Sequence, residues 1–148
     1  MFKHILLPTD GSKLSDRAVQ RGIDFAKEIR ARVTAVHVIP EFRMMADESF
    51  ALPTSADLKR RYEKEARTRA DKMLAKIGER AAAAGVKYEG VGIMGDVPYE
   101  VIIDTAKKHK CDLIMMASHG RRGLSGLLLG SETSKVLTHS KIPVLVVR

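Results

Sequence analysis

The sequence predicts an α/β fold: a single doubly wound five-stranded parallel sheet, in the order 3-2-1-4-5, with helices on both faces. Two observations carry that reading. Apolar runs of four to seven residues recur and are separated by longer stretches of helical periodicity, the pattern of repeated strand–helix–strand units. Two of those runs, Ile114-Met115-Met116 and Val144-Leu145-Val146-Val147, are apolar on both alternating faces, as strands covered from both sides must be.

The elements follow in order. A first strand spans His4 to Pro8, and Asp10-Gly11 turns the chain into a helix that starts at Ser12, whose hydroxyl can cap free backbone N–H groups. Leu14, Ala18, Phe25 and Ile29 form the apolar face expected of that helix. A second strand runs from Val33 to Ile39. The connection from Pro40 to Ser55 lacks periodicity and is long for a compact domain, so it reads either as a mobile flap or as a variable surface loop. A long helix from about Ala56 to Ala84 places Leu58, Tyr62, Ala66, Ala70, Met73, Ile77 and Ala81 at spacings of three or four and stops at Gly85. A third strand covers Val86 to Ile93. Pro98 suits the first turn of a third helix reaching Lys108, with Asp96 near its start. The fourth strand is Asp112 to Ala117, the fourth helix follows Gly130-Ser131 and runs to about His139, and the last strand is Pro143 to Val147.

A chain of 148 residues fits one domain spanning residues 1–148, and 45% hydrophobic beside 30% charged residues is ordinary globular composition. The apolar run Ile5-Leu6-Leu7 is too short for a secretory or membrane segment, which predicts a cytoplasmic protein without membrane contact. The single cysteine, Cys111, lies among apolar residues and reads as a packed, inert thiol. No Cys/His metal cluster is visible. The net charge of +8 raises acidic ligands or nucleic acid as partners. Between Asp57 and Arg80, however, nine basic residues are interleaved with five acidic ones, a solvated mixed-charge helix face, and no groove-reading or RNA-stacking motif accompanies them. Nucleic acid is therefore not the expected partner.

The chemistry concentrates between Met115 and Ser131. Gly120, Gly123, Gly126 and Gly130 follow a strand directly, allow close backbone approach, and lead to Gly130-Ser131, where a helix start offers free N–H groups and a hydroxyl to an anion. Parallel sheets bind ligands beyond the carboxyl ends of their strands where the strand order reverses. In the order 3-2-1-4-5 that point lies between the first and fourth strands, so the Pro8-Thr9-Asp10-Gly11 turn faces Gly120, and Asp10 can accept hydrogen bonds from ribose hydroxyls or an adenine amine. Gly126-Leu-Leu-Leu-Gly130-Ser131 lacks the lysine of a Walker loop. Arg121 and Arg122 either neutralise phosphate charge or merely solubilise the loop. His119 is the candidate for proton transfer, without a dedicated catalytic set around it, and Glu132 offers no convincing general base. His37 and His139 have structural readings, packing on a strand and balancing a helix C-terminus.

Four segments together resemble the universal stress protein family over the whole chain. They are Ile-Leu-Leu-Pro-Thr-Asp-Gly-Ser at the start, Ala-Val-His-Val in the second strand, Gly-Asp-Val-Pro before the third helix, and Lys-Ile-Pro-Val-Leu-Val-Val at the end. Nucleotide-binding members carry Gly-x2-Gly-x9-Gly-Ser/Thr, and here the pattern is Ala117-x2-Gly120-x9-Gly130-Ser131, with alanine in place of the first glycine. The resemblance implies ATP, or ADP or AMP, with Mg2+ as a companion ion. It also implies that Gly120, Gly130, Ser131 and Thr133 hold phosphates, that Asp10 contacts the nucleoside, and that Val38 and Met116 flank the adenine. With their neighbours, the expected contact set is Pro8, Thr9, Asp10, Val38, Met116, Ala117, His119, Gly120, Arg121, Gly130, Ser131, Glu132 and Thr133. The reading is a nucleotide-binding stress-response regulator. The alternatives are a slow ATPase and a ligand-free dimeric interaction module, the last because some members lack nucleotide binding. The apolar final strand, 142–147, at a sheet edge predicts a homodimer.

Overall fold

The computed structural model describes residues 1–43, 55–120 and 129–148. Its elements are β1 (His4–Pro8), α1 (Lys13–Ile29), β2 (Arg32–Ile39), α2 (Ser55–Ala83), β3 (Tyr88–Met94), α3 (Pro98–Lys108), β4 (Leu113–Ala117), α4 (Ser131–His139) and β5 (Val144–Val147). The strands form one parallel sheet in the order β3-β2-β1-β4-β5. This is the doubly wound arrangement that the alternation of apolar runs predicts.

Side-chain alternation along the strands divides the core in two. Ile5 and Leu7 of β1, Val33 and Ala35 of β2, and Leu113, Met115 and Ala117 of β4 pack under α1 and α2. Leu6, Val36, Ile114 and Met116 point the other way and pack under α3 and α4, against Ile102, Ile103, Ala106 and Val136. Helices therefore cover both faces. The central strand β1 is buried along its whole length.

Two expectations need correction. Val86 and Lys87 precede β3 rather than beginning it, because Val86 N–H donates back to the Ala81 carbonyl at 2.9 Å and closes α2. In α1, Leu14 is 37% exposed, whereas the buried stripe is Ser15, Ala18, Val19, Gly22, Ile23 and Ala26. Leu14 lies about 100° around the helix from the middle of that stripe. The polar Ser15 and the small Gly22 hide the stripe from a hydrophobicity pattern. Gly22 is there because a Cβ at that position would run into the Leu7 side chain, so glycine lets α1 settle directly on β1. In α2, Leu74 joins the core, while Met73 stays half-buried.

Three helices end alike at the amino ends of the following strands. Ala31 N–H reaches the Ala26 carbonyl, Val86 the Ala81 carbonyl and Cys111 the Ala106 carbonyl, at 2.8, 2.9 and 2.8 Å. The preceding residue is left-handed each time: Arg30 (φ 57°), Gly85 (φ 73°) and Lys110 (φ 54°). Glycine adopts this conformation without strain, but arginine and lysine do so at about 1 kcal/mol each.

His4 is 5% exposed and its Nε2 is 2.7 Å from Thr34 Oγ1, while among the described residues Nδ1 meets no partner in good hydrogen-bond geometry and is left with a weak approach to the His109 backbone. Burial, reinforced by the Arg32 charge, holds its pKa below the usual 6.5 despite the opposing pull of the His109 backbone and Asp112. The folded chain therefore keeps His4 neutral where the unfolded chain protonates it. The resulting stability is complete above pH 6.5 and is lost as pH falls from there toward the depressed native value. Urea unfolding at pH 7.5 and 5.5 is expected to show a larger loss for the native chain than for His4→Gln. Equal losses would contradict this. Cys111 is 5% exposed, and burial pushes its thiol pKa up to about 12, so it is a packed, unreactive thiol as the sequence implies.

Candidate functional site

The order reverses between β1 and β4, and the turns leaving these two strands meet there. After Pro8, Thr9 N–H continues the sheet by donating to the Val36 carbonyl at 2.9 Å. Gly11, with φ 75°, makes the turn, and its N–H donates to Thr9 Oγ1 at 3.2 Å. Asp10 Oδ1 accepts from Ser12 N–H at 2.9 Å, so the carboxylate is oriented by its own turn. Ser12 caps α1 by accepting from Ser15 N–H at 3.2 Å, and the Ser15 hydroxyl lies 3.1 Å from that of Thr9. The corner from Thr9 to Ser15 is thus one rigid hydrogen-bonded unit.

The other wall follows β4. Ser118 N–H donates to the Val147 carbonyl at 2.8 Å, and the Ser118 carbonyl accepts from Gly130 N–H at 2.7 Å. That bond holds Gly130, the N-cap of α4, against Ser118 and His119. A Cβ on Gly130 would lie 3.2 Å from both the Ser118 oxygen and the His119 Cα. Gly130 supplies no side-chain cap, which leaves the first turn of α4 without the side-chain partner such turns usually have. Across the crevice a Cβ on Gly120 would lie 2.5 Å from Asp10 Oδ2. Glycine at 120 is what lets the two turns close to this distance.

The remaining residues fall into distinct environments. Pro8, Val38 and Met116 lie on the α3 and α4 side of the sheet, where Met116 is 6% exposed and Val38 half-buried. Ala117 packs in the core beneath α1, so its methyl group goes into that core. Thr133 is 3% exposed and its hydroxyl donates to the Ala117 carbonyl at 2.9 Å, tying α4 to β4. Glu132 Oε2 accepts from Tyr99 N–H at 2.9 Å and Oε1 pairs with Lys135 at 3.0 Å, so this carboxylate caps α3 from the neighbouring helix. Ser131 is exposed at the start of α4. His119 is half-buried, its Nδ1 3.1 Å from Ser118 Oγ. Arg121, Arg122, Gly123 and Gly126 lie outside the described residues.

One supporting residue was not among those expected at the site. His37 Nδ1 donates to the Thr9 carbonyl at 2.8 Å, bracing the β1 turn from β2, where its sequence context suggested only packing. Residues after β2 are also held near this end of the sheet. Tyr62 hydroxyl donates to the Pro40 carbonyl at 2.8 Å, Phe42 stacks on Tyr62 with centroids 5.5 Å apart, and Arg43 pairs with Asp96 at 2.6 Å. The Arg43 hydrogen bond, joined by one from Glu41 N–H, lowers the Asp96 pKa. Most of the 40–55 connection lies outside the described residues.

A parallel sheet wound on both faces, with two glycine-bearing turns meeting at its reversal point, defines a Rossmann-like α/β fold whose switch point lies between β1 and β4. The universal stress protein family profile matches residues 1–148, and the chain belongs to that family. Universal stress protein MJ0531 of Methanocaldococcus jannaschii is 36% identical over 151 residues, covering 100% of this chain and 83% of its own. The solved structure of MJ0577, from the same organism, matches with a TM-score of 0.84 and 30% identity over 99% of this chain and 96% of that one. A universal stress protein crystallised in complex with cAMP matches with a TM-score of 0.70 and 28% identity, over 99% and 97%. Among the described residues no helix is long and apolar enough to cross a membrane.

Proposed function

We propose that this universal stress protein is a cytoplasmic regulator that binds an adenine nucleotide, ATP or its ADP and AMP relatives, at the carboxyl ends of β1 and β4. The observation that carries the reading is the approach of the Asp10 carboxylate to side-chain-free Gly120, beside the glycine-capped start of α4. That combination offers a carboxylate for ribose or base and a helix N-terminus for phosphate in one crevice. The relative in complex with cAMP supports the same ligand class.

The residues fit such a ligand unequally. Asp10, Gly120, Gly130 and Ser131 border the crevice and would hold the nucleotide, with Pro8, Thr9, Val38 and His119 around it. Thr133 and Glu132 contribute by bracing, since their polar atoms already bind Ala117, Tyr99 and Lys135. The methyl group of Ala117 packs under α1, so alanine in place of the family's glycine is compatible with binding. A bound Mg2+ would neutralise phosphate charge. Binding rather than turnover is the activity: occupancy of the glycine-rich loop alters a surface read by partners. Mass spectrometry of small molecules released from protein purified without added ligand is expected to find an adenine nucleotide. Finding none, together with flat ATP, ADP and AMP titrations, would end the reading.

A second reading, homodimerisation through residues 142–147, has its own support. β5 is the sheet edge next to β4, and Leu145 on it is 42% exposed. With Met115, Leu129 and Val147 it lines an open apolar hollow of ≈ 690 Å³. An unpaired edge beside apolar surface is suited to a second copy. Sedimentation at micromolar concentration is expected to give a dimer mass, moving toward the monomer in Leu145→Lys. A monomeric native chain would refute the assignment.

A further inference from the structure

The end of the sheet opposite the crevice carries a second concavity. A cleft of ≈ 540 Å³ opens at the amino ends of the strands, lined by Lys3, Lys27, Arg30, Arg32, Lys87 and Lys110. Among the described residues Asp112 is its one carboxylate, and both of its oxygens are already engaged, by Lys3 N–H at 2.8 Å and His4 N–H at 3.0 Å. Among the described residues none of the six cations has an ion-pair partner; Lys13, Arg17 and Lys141 elsewhere also lack one, so what distinguishes the cleft is that six cations line a single hollow. Six like charges converging on one hollow repel each other unless something negative enters it.

Cations also gather at helix C-termini because the last carbonyls attract them. That explanation falls short here. Backbone N–H groups already bond carbonyls in the final turns of all three helices, at Ala26, Ala81 and Ala106. Moreover Arg30 and Lys110 hold the left-handed conformation that Gly85 fills at the third helix end. Glycine would be less strained at both positions, yet at both the residue lining the cleft is a cation.

We propose that this cleft binds a small phosphorylated anion, at a site separate from the nucleotide crevice. The volume is that of a small-ligand pocket, and arginine and lysine together suit the several oxygens of a phosphate. Among the described residues the lining holds no Phe, Tyr or Trp on which the bases of a nucleic acid could stack. Lys3 and Asp10 are separated along β1 by on the order of 20 Å, so one small ligand does not occupy both sites.

Tripolyphosphate is the probe, and the full chain is titrated by calorimetry alongside Gly120→Val, which obstructs the upper crevice. Binding of tripolyphosphate that survives Gly120→Val is expected. In the double variant Arg30→Gly/Lys110→Gly the melting temperature without ligand should hold or rise, because glycine relieves the left-handed positions, while affinity falls about tenfold or more. Lys27→Gln/Lys87→Gln, which alters no left-handed residue, should weaken binding in the same direction. Undiminished affinity in both double variants, or no binding to the Gly120→Val chain, would overturn the assignment. So would a single-stranded RNA oligomer that binds more tightly than tripolyphosphate and is lost with the same residues, since the partner would then be a nucleic acid.

Discussion

Replacing Gly120 with valine is expected to weaken ATP binding at least about tenfold, or about 1.4 kcal/mol, while the domain stays folded. Its Cβ would fall 2.5 Å from Asp10 Oδ2, so the carboxylate must swing away, and the branched methyls would then occupy space between the two turns. The Asp10 carboxylate is the far end of a side chain and can rotate away from Gly120, at the loss of its bond from Ser12 N–H, while the backbone of the corner stays in place. The sheet beneath depends on other contacts, such as the bond from Ser118 N–H to the Val147 carbonyl. Gly130→Val is a less clean probe, because its Cβ would press on the Ser118 and His119 backbone and disturb the fold of the segment itself. Isothermal titration with ATP, compared with melting temperatures of both chains, checks the prediction. Unchanged affinity in a folded Gly120→Val protein would mean that the nucleotide lies elsewhere.

The largest stability effect is expected from Leu6→Ala, at about 3 kcal/mol and a fall in melting temperature of about 10 °C. Leu6 is 0% exposed on the central strand and belongs to the cluster with Val36, Ile102, Ile114 and Val136, so truncation leaves a cavity bounded by strands on two sides and helices above. Little can collapse into it. Leu14→Ala should cost less than about 0.5 kcal/mol, because the side chain stands outside the buried stripe of α1. Denaturant unfolding of the two variants separates the hydrophobicity pattern from the packing actually formed. A large loss at Leu14 would restore the face inferred from apolar spacing alone.

That pair of leucines shows where sequence reading succeeds and where it stops. β1 and β4 are legible because every residue in them is buried, so the apolar run and the strand coincide. α1 is legible as a helix but not in its orientation: the face against the sheet needs Gly22 beneath Leu7 and Ser15 beside Thr9, and neither is hydrophobic. The glycine close of α2 at Gly85 was legible, but the start of β3 was not: the bond from Val86 N–H back to Ala81 commits Val86 to the helix end and keeps it out of the apolar run's strand.

At the site, local chemistry was readable and bracing was not. Asp10, Gly120 and Gly130-Ser131 announce themselves by residue type, since a turn, a close approach and a helix start each demand particular side chains or none. His37 under Thr9, and Glu132 capping α3 through Tyr99, span 28 and 33 residues of sequence, and no spacing rule connects such partners. The same holds for the basic cleft, whose cations come from four separate stretches of chain and meet only because three helices end at the amino ends of the strands.

The sequence by itself determined the order and type of the elements, the family, and the glycine-rich segment after β4, because periodicity, turn residues and backbone freedom are local properties of the chain. Tertiary structure alone decided how close Asp10 stands to Gly120, which carboxylates are committed to bracing, and which cations line one cleft. Distances of that kind depend on how helices seat on the sheet, and seating is settled by contacts between residues far apart in the chain.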